Sequence, residues 1–285
     1  MKAATAALSA HLSQEVTTLA TCWRVTRRDG AEFFFTDHDQ DIAFDGQVYL
    51  ARTGYSRTAI ANDASMAVDN LDVDGVFDAA AITETDMRAG KFDYAEVRVF
   101  LVNWADPSMG ALKMRRGWFG EVILTEGAKF RTELRGMVQA LQQRIGEIYS
   151  PECRADLGDA RCKVDLAAFT RTGWVTSATD RVVFFAILDG AATADGWFNG
   201  GALTFTSGAN AGRTIEVKSW TASNGRIELF LAAGYAIAAG DTFTVYPGCD
   251  KRLDTCIGRF GNVLNFRGEP YVPGIDAFMS YPDGR

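Results

Sequence analysis

The chain has 285 residues, 47% of them hydrophobic and 23% charged, with 29 Lys and Arg against 36 Asp and Glu for a net charge of −7. That length suits two or three domains of ~150 residues each, and that apolar content fills a core without the disulfide framework of small secreted domains. No cluster of Lys and Arg outweighs the acids as a nucleic-acid surface requires, and no apolar run approaches the ~18 residues of a membrane helix, so the expectation is a soluble acidic protein.

Met1 to Ala20 is mixed polar and small with a single Lys, which does not read as a secretory signal. Cys22 to Phe35 and Ile42 to Ala51 read as strands folded back at Asp29-Gly30 and Asp45-Gly46, dipeptides that favour hairpin turns. Ala79 to Gly90 reads as a short helix closed by Gly90. Tyr94 to Val102 alternates cleanly, with Val97, Val99 and Leu101 on one face and Glu96 and Arg98 on the other. Trp118 to Leu124 and Phe130 to Met137 follow as a hairpin around Glu126-Gly127. Val138 to Tyr149 spaces Leu141, Ile145 and Ile148 as a helix does, delivering Pro151 and Cys153.

The charge is uneven: 22 acids and 16 bases precede Cys153, whereas residues 163–248 hold six bases and seven acids amid Gly, Thr and Ala. Six short strands are expected there: Trp174 to Ser177, Val182 to Ile187, Ala202 to Thr206, Arg213 to Trp220, Arg226 to Leu231 and Thr242 to Tyr246. Together they predict a small antiparallel barrel or sandwich. The fold class is therefore mainly β (α+β), in three parts. Residues 1–150 form a β-rich domain, 151–162 with 249–285 a discontinuous four-cysteine module, and 163–248 an inserted barrel.

Four cysteines form two distant pairs, Cys153 with Cys162 and Cys249 with Cys256, separated by 86 residues between Cys162 and Cys249. Intervals of eight and six residues do not match the C-x₂₋₄-C knuckle of structural zinc, whereas a four-iron cluster accepts thiolates from looser loops. Three readings stay open on spacing alone: a metal or iron–sulfur site, two disulfides, or unlinked buried thiols. Cys22, in the strand-like Thr21-Cys22-Trp23-Arg24-Val25, reads as a small buried core residue.

Little else carries chemistry. His11 and His38 are the only histidines, His11 in a segment expected to be mobile. Asp37, Asp39 and Asp41 alternate as in a calcium loop, but Ile42 and Val48 stand where an EF-hand needs Gly and Glu, leaving a solvated turn. No P-loop or G-x-G-x-x-G fingerprint occurs.

The C-terminal run Gly248-Cys249-Asp250-Lys251, Thr255-Cys256, Phe260 through Gly268, and Pro270 through Gly274 resembles the C-terminal module of tail-tip and baseplate hub proteins of long-tailed bacteriophages and gene transfer agents. Upstream, Thr36 to Asp39, Val68 to Gly75, Ala89-Gly90, Val102 to Trp104, Glu133 to Gly136 and Cys153 through Leu157-Gly158-Asp159 to Cys162 resemble the family in the same order. Ser207 to Arg213 and Ala239 to Phe243 resemble its middle barrel. The tail tip protein of lambda-like phages is similar in its cysteine pairs, with a different intervening domain.

That resemblance implies a non-enzymatic homotrimer in the tail baseplate of a virion or phage-like particle, made in the bacterial cytoplasm. It implies a distal tail protein, a central tip or fibre protein and a cell-wall peptidase as neighbours, with DNA passing through the lumen unread. It implies Cys153, Cys162, Cys249 and Cys256 as ligands of a [4Fe–4S] cluster. Four thiolates on such a core leave a net charge of about −2, and Arg154, Arg161, Lys251 and Arg252 are the flanking cations that would offset it. Asn262, Asn265 and Arg267 are expected to anchor the loop. Glu269-Pro270-Tyr271 departs from the family's aromatic and His, a change expected to alter surface contacts. The alternatives are a metal or iron–sulfur enzyme acting on cell-wall material and a disulfide-stapled glycan-binding module.

Overall fold

The computed structural model describes residues 4–51, 56–57, 70–76, 82–125, 129–136, 146–190 and 193–273. The chain divides into two compact units, 1–145 and 146–285.

Unit 1 opens with helix α1 (Ala6–Leu12), capped by the Thr5 hydroxyl, which accepts the Leu8 N–H. Then come β1 (Leu19–Thr26), β2 (Glu32–Thr36), the hairpin β3 (Ile42–Phe44) and β4 (Gln47–Tyr49), β5 (Ser56–Arg57) and β6 (Asn70–Val76). Helix α2 (Glu84–Arg88), β7 (Glu96–Asn103), β8 (Ala111–Thr125) and β9 (Lys129–Gly136) complete it. Seven strands make one antiparallel sheet in the order β2-β1-β7-β8-β9-β6-β5. Both expected Asp-Gly turns are present: Gly30 sits at φ 87°, and Asp45 and Gly46 at 52° and 73°, the left-handed backbone of tight hairpins.

Each face of the sheet is covered by a different piece of chain. Trp23, Val25, Phe35, Val97, Val99, Phe119 and Leu134 pack under Ile82, Met87, Phe92 and Ala95 around α2. On the opposite face the β3–β4 hairpin lays Ile42, Tyr49 and Phe44 against Cys22, Phe34, Phe100 and Val102. This second cover breaks the alternation expected of β7: Val97 and Val99 are buried, but Leu101 is only half-buried while Val102 is fully so. A bulge between Val99 and Phe100 shifts β7 against β8 at the same place.

The helix expected over 79–90 is confined to Glu84–Arg88, with 79–81 outside the described residues. Of the helix expected over 138–149, residues 138–145 lie outside the described residues and 146–149 have no regular structure. His11 is not on a mobile segment. It is buried in α1, where Nε2 accepts the Thr18 N–H at 3.0 Å.

Unit 2 contains a closed six-stranded antiparallel barrel of β10 (Arg171–Ala178), β11 (Val183–Leu188), β12 (Ala202–Phe205), β13 (Thr214–Thr221), β14 (Arg226–Leu229) and β15 (Thr242–Tyr246). All six strands fall where the sequence pattern puts them. The order β10-β11-β14-β13-β12-β15 closes by pairing the first strand with the last, Arg171 opposite Val245. Inward residues Val175, Phe184, Leu203, Phe205, Val217, Ile227, Leu229, Phe243 and Val245 fill the interior. Phe184 meets Phe243 edge-on at 5.8 Å between ring centroids. Asn210 is fully buried between two loops, donating to the Tyr235 and Ala236 carbonyls and accepting the Tyr235 N–H. After the barrel come helix α3 (Leu253–Gly258) and the 3₁₀ turn Val263–Asn265.

Candidate four-thiol site

Cys153, Cys162, Cys249 and Cys256 line one cavity in unit 2, and all are free thiols. Four different local structures deliver them: the coil after residue 150, the turn before the 3₁₀ segment Leu166–Ala168, the exit of β15, and helix α3. Apolar contacts surround them. Ala155, Cys162 and Val164 are buried with Leu157, Phe169 and Phe260 packed on them, the last two edge-to-face at 5.4 Å.

The loop between the first two cysteines is shaped by Asp159. Its carboxylate accepts three backbone N–H groups, from Cys162 at 2.6 Å, Arg161 at 2.9 Å and Asp156 at 3.0 Å. The Cys162 N–H foremost, then the other two, hold its pKa down to about 2. Asp250 does similar work before α3, accepting the Arg252 N–H at 3.0 Å and the Thr255 hydroxyl at 2.8 Å. Lys251 between them takes φ 63°, a left-handed conformation uncommon for a non-glycine residue, which turns the chain sharply after Cys249.

Segments far apart in sequence are tied by backbone bonds: Cys153 N to Lys251 O at 2.8 Å, Arg154 N to Arg267 O at 3.1 Å and Glu269 N to Ser150 O at 2.8 Å. Gly268 permits the last of these approaches, since a Cβ there would lie 2.6 Å from the Glu152 carbonyl oxygen. Asn262 reaches across with its amide, donating to the Cys162 carbonyl at 2.6 Å and accepting from Asn265. Arg259 joins α3 to the barrel, with its guanidinium 4.3 Å from the Trp197 ring and donating to the Trp197 and Gly248 carbonyls.

Each sulfur faces an N–H group. Arg267 N donates to Cys153 Sγ at 3.3 Å and Asn262 Nδ2 to Cys162 Sγ at 3.5 Å. Burial pushes the Cys249 thiol up and the Lys251 N–H pulls it back. Burial also raises Cys256, helped by the other three cysteines and opposed by the Asn262 N–H. Among the described residues no three His, Cys, Asp or Glu side chains stand at the spacing of a single metal ion. Four soft donors line one cavity, each met by an N–H, a donor set whose chemistry suits thiolate ligation of a cluster.

The flanking cations are otherwise engaged. Arg154 grips Glu269 with both terminal nitrogens and reaches Glu147 through Nε. Arg161 pairs with Glu147 and Asp159, and Lys251 with Asp156 and the Ala155 carbonyl. Arg252 alone of the four lines the cavity without an ion pair among the described residues. Glu269, expected to matter for surface contacts, is instead an internal clasp on the residue after Cys153. Asp159, Asp250, Glu147 and Glu269 were not singled out as site residues from sequence; the Asx-turn habit of Asp two residues before an N–H is the one signal that marks Asp159 and Asp250.

Cys22 is elsewhere, fully buried in unit 1, where burial raises its thiol to about 11, as suits a core residue. In the Asp37 to Asp41 turn, Asp37 accepts the Thr21 N–H and Asp41 the Ala51 N–H, so these carboxylates staple the loop.

Residues 5–165 match the family described as baseplate hub protein, N-terminal attachment domain, and residues 196–276 match a phage conserved hypothetical protein family, BR0599. No curated protein matches. Among solved structures, a chain of a native gene transfer agent particle virion is 41% identical, with a TM-score of 0.86, covering 98% of this chain and 96% of that one. A match over more than half the sequence, together with that near-complete structural likeness, shows that the chain belongs to the baseplate hub proteins of phage-like tails.

Proposed function

We propose that this hub is a non-enzymatic structural ring in which three copies surround the tail axis and join the tube to the central tip. The thiols of Cys153, Cys162, Cys249 and Cys256 hold a [4Fe–4S] cluster that braces the second unit. A distal tail protein and a tip or fibre protein are its neighbours, and DNA crosses the lumen without specific binding. The observation that carries the cluster is the convergence of four free thiols on one cavity, each facing an N–H group. When bound, the group would supply iron–thiolate bonds linking segments that are far apart in the chain.

This chain's own part is to present the thiolates and offset their charge. The N–H groups of Arg267, Lys251 and Asn262 and the Asn262 amide face the sulfurs. Because Arg154, Arg161 and Lys251 are neutralised by their own carboxylates, these dipoles and Arg252 carry the compensation. A structural role suits a cavity where neither histidine of the chain is present.

The test is iron and acid-labile sulfide content with visible absorption on anaerobically purified protein, beside Cys249→Ser. About four of each per chain, falling sharply in the variant, is the expected result. Zinc without sulfide, or no metal, sinks the cluster. Light scattering on the same sample tests the ring, which a monomer at all concentrations would refute.

A further inference from the structure

Asn262 stands at the N-cap of the 3₁₀ turn Val263–Asn265, yet its side chain makes no capping bond there. An asparagine in that position ordinarily turns its oxygen onto the N–H groups of the turn that follows. This one is spent elsewhere, in the four-thiol cavity, whose lining it joins with Asn265.

Its contacts there reach both cysteine pairs. Nδ2 donates to the Cys162 carbonyl at 2.6 Å and to Cys162 Sγ at 3.5 Å. A carbonyl only accepts, so the end of the amide facing Cys162 must be the NH₂ group, and Oδ1 is left to accept Asn265 Nδ2 at 2.7 Å. The backbone N–H of Asn262 goes to the other pair. It donates to the Cys256 carbonyl at 3.0 Å and also faces the Cys256 sulfur, opposing the rise that burial gives that thiol.

The two cysteines it joins lie on either side of the barrel in the sequence and are the most enclosed of the four, each 8% exposed. Arg267 and Lys251 serve the other two differently, each offering a backbone N–H to one sulfur, Cys153 and Cys249 in turn. Those donors survive any side-chain change short of proline. The donor to Cys162 belongs to a side chain, and its direction depends on the hold of Asn265.

We infer that Asn262 is the positioning residue of the thiol site: held by Asn265, it sets Cys162 against Cys256 and tunes the Cys162 sulfur. The inference rests on the cluster reading above. A hydrogen bond to a ligating sulfur offsets the negative charge that reduction adds, so it raises the reduction potential, and its loss lowers it. A residue that only filled space would leave the potential where it is.

The experiment uses the full chain, purified without oxygen, with Asn262→Ala, Asn262→Asp and Asn265→Ala beside the parent. Iron and sulfide are counted first, and the potential is then read by film voltammetry. Asn262→Ala should make reduction about tenfold less favourable, a fall of about 59 mV for one electron. Asn262→Asp keeps the shape but sets a carboxylate against the sulfur, so its potential should fall further. Asn265→Ala frees the amide without removing it and should fall less.

The same proteins stripped of metal give a readout independent of loading. Hydrogen exchange in the peptide spanning Cys162 should rise about tenfold in Asn262→Ala and stay unchanged in the barrel strands. If Asn262→Asp loads no iron, Asn265→Ala and the metal-free exchange decide. A parent that holds no iron overturns the cluster and this role with it. An iron-loaded parent whose potential the variants share, or exchange at Cys162 indifferent to Asn262→Ala, overturns the role alone.

Discussion

Asn210 offers a demanding test of how the barrel holds together. The side chain has no exposed surface and makes three contacts: Nδ2 to the Tyr235 carbonyl at 3.1 Å and the Ala236 carbonyl at 3.4 Å, and Oδ1 from the Tyr235 N–H at 2.9 Å. Asn210→Ala removes all three, at about 1 kcal/mol net for the two shorter bonds, less for the long one, and leaves the Tyr235 N–H to find water in a packed loop. The expected loss is about 2–3 kcal/mol, or roughly 4–10 °C in Tm for a unit of this size. Asn210→Asp is the sharper variant. It keeps the shape and the acceptor but turns a donor into a charge aimed at two carbonyl oxygens, so it should cost more than Ala despite the smaller change in volume. Urea unfolding followed by Trp197 and Trp220 fluorescence reads both, because both rings border the barrel core. If Asn210→Ala falls within about 0.5 kcal/mol of the parent, or Asp is milder than Ala, the latch described here is not what orders these loops.

Three further outcomes follow from the same geometry. Gly268→Ala forces a Cβ to 2.6 Å from the Glu152 carbonyl, so it should separate the 150–154 segment from 267–269 and speed the reaction of Cys153 with a thiol reagent in metal-free protein; an unchanged rate would refute it. Arg259→Lys keeps the charge but loses the planar contact on Trp197 and the fork to the Trp197 and Gly248 carbonyls, so tryptophan emission should shift and the α3 segment become more susceptible to protease, whereas an unaltered spectrum would count against the contact. Burial raises Glu96, but hydrogen bonds from Arg116 and Arg98 outweigh it, and the net pKa lies below the usual 4.5. A depressed carboxylate stabilises the fold fully above its unfolded pKa and loses that contribution as pH falls through the folded value, so Glu96→Gln should flatten the stability of unit 1 below about pH 5 and leave its slope above pH 6 unchanged.

Much of the β-structure is legible because turn chemistry is local. Asp29-Gly30 and Asp45-Gly46 mark hairpins whose left-handed residues the structure contains, and six barrel strands stand out between Gly- and Asn-rich turns. Where two covers act on one strand, alternation misleads: Phe100 to Val102 changes phase because the β3–β4 hairpin buries the second face. The first residues of β8 escape detection for a related reason, since Lys113-Met114-Arg115-Arg116 has no period of two and holds a bulge. At the site, the unusual spacing of four thiols is visible in sequence, but the polar clasps are not. Asp159 and Glu269 look like any loop acids until the fold shows which N–H groups and which guanidinium they meet.

Closure of the barrel through β10 and β15 has a consequence for the rest of the chain. Because Arg171 lies opposite Val245, the polypeptide departs and returns one strand spacing apart, and the intervening seventy-odd residues add almost no loop-closure entropy to the thiol cavity. To that cavity the barrel is equivalent to a short hairpin. Sequence of another length or shape could hang from the same two points once it replaces the Trp197 ring and carbonyl that Arg259 meets from beyond α3.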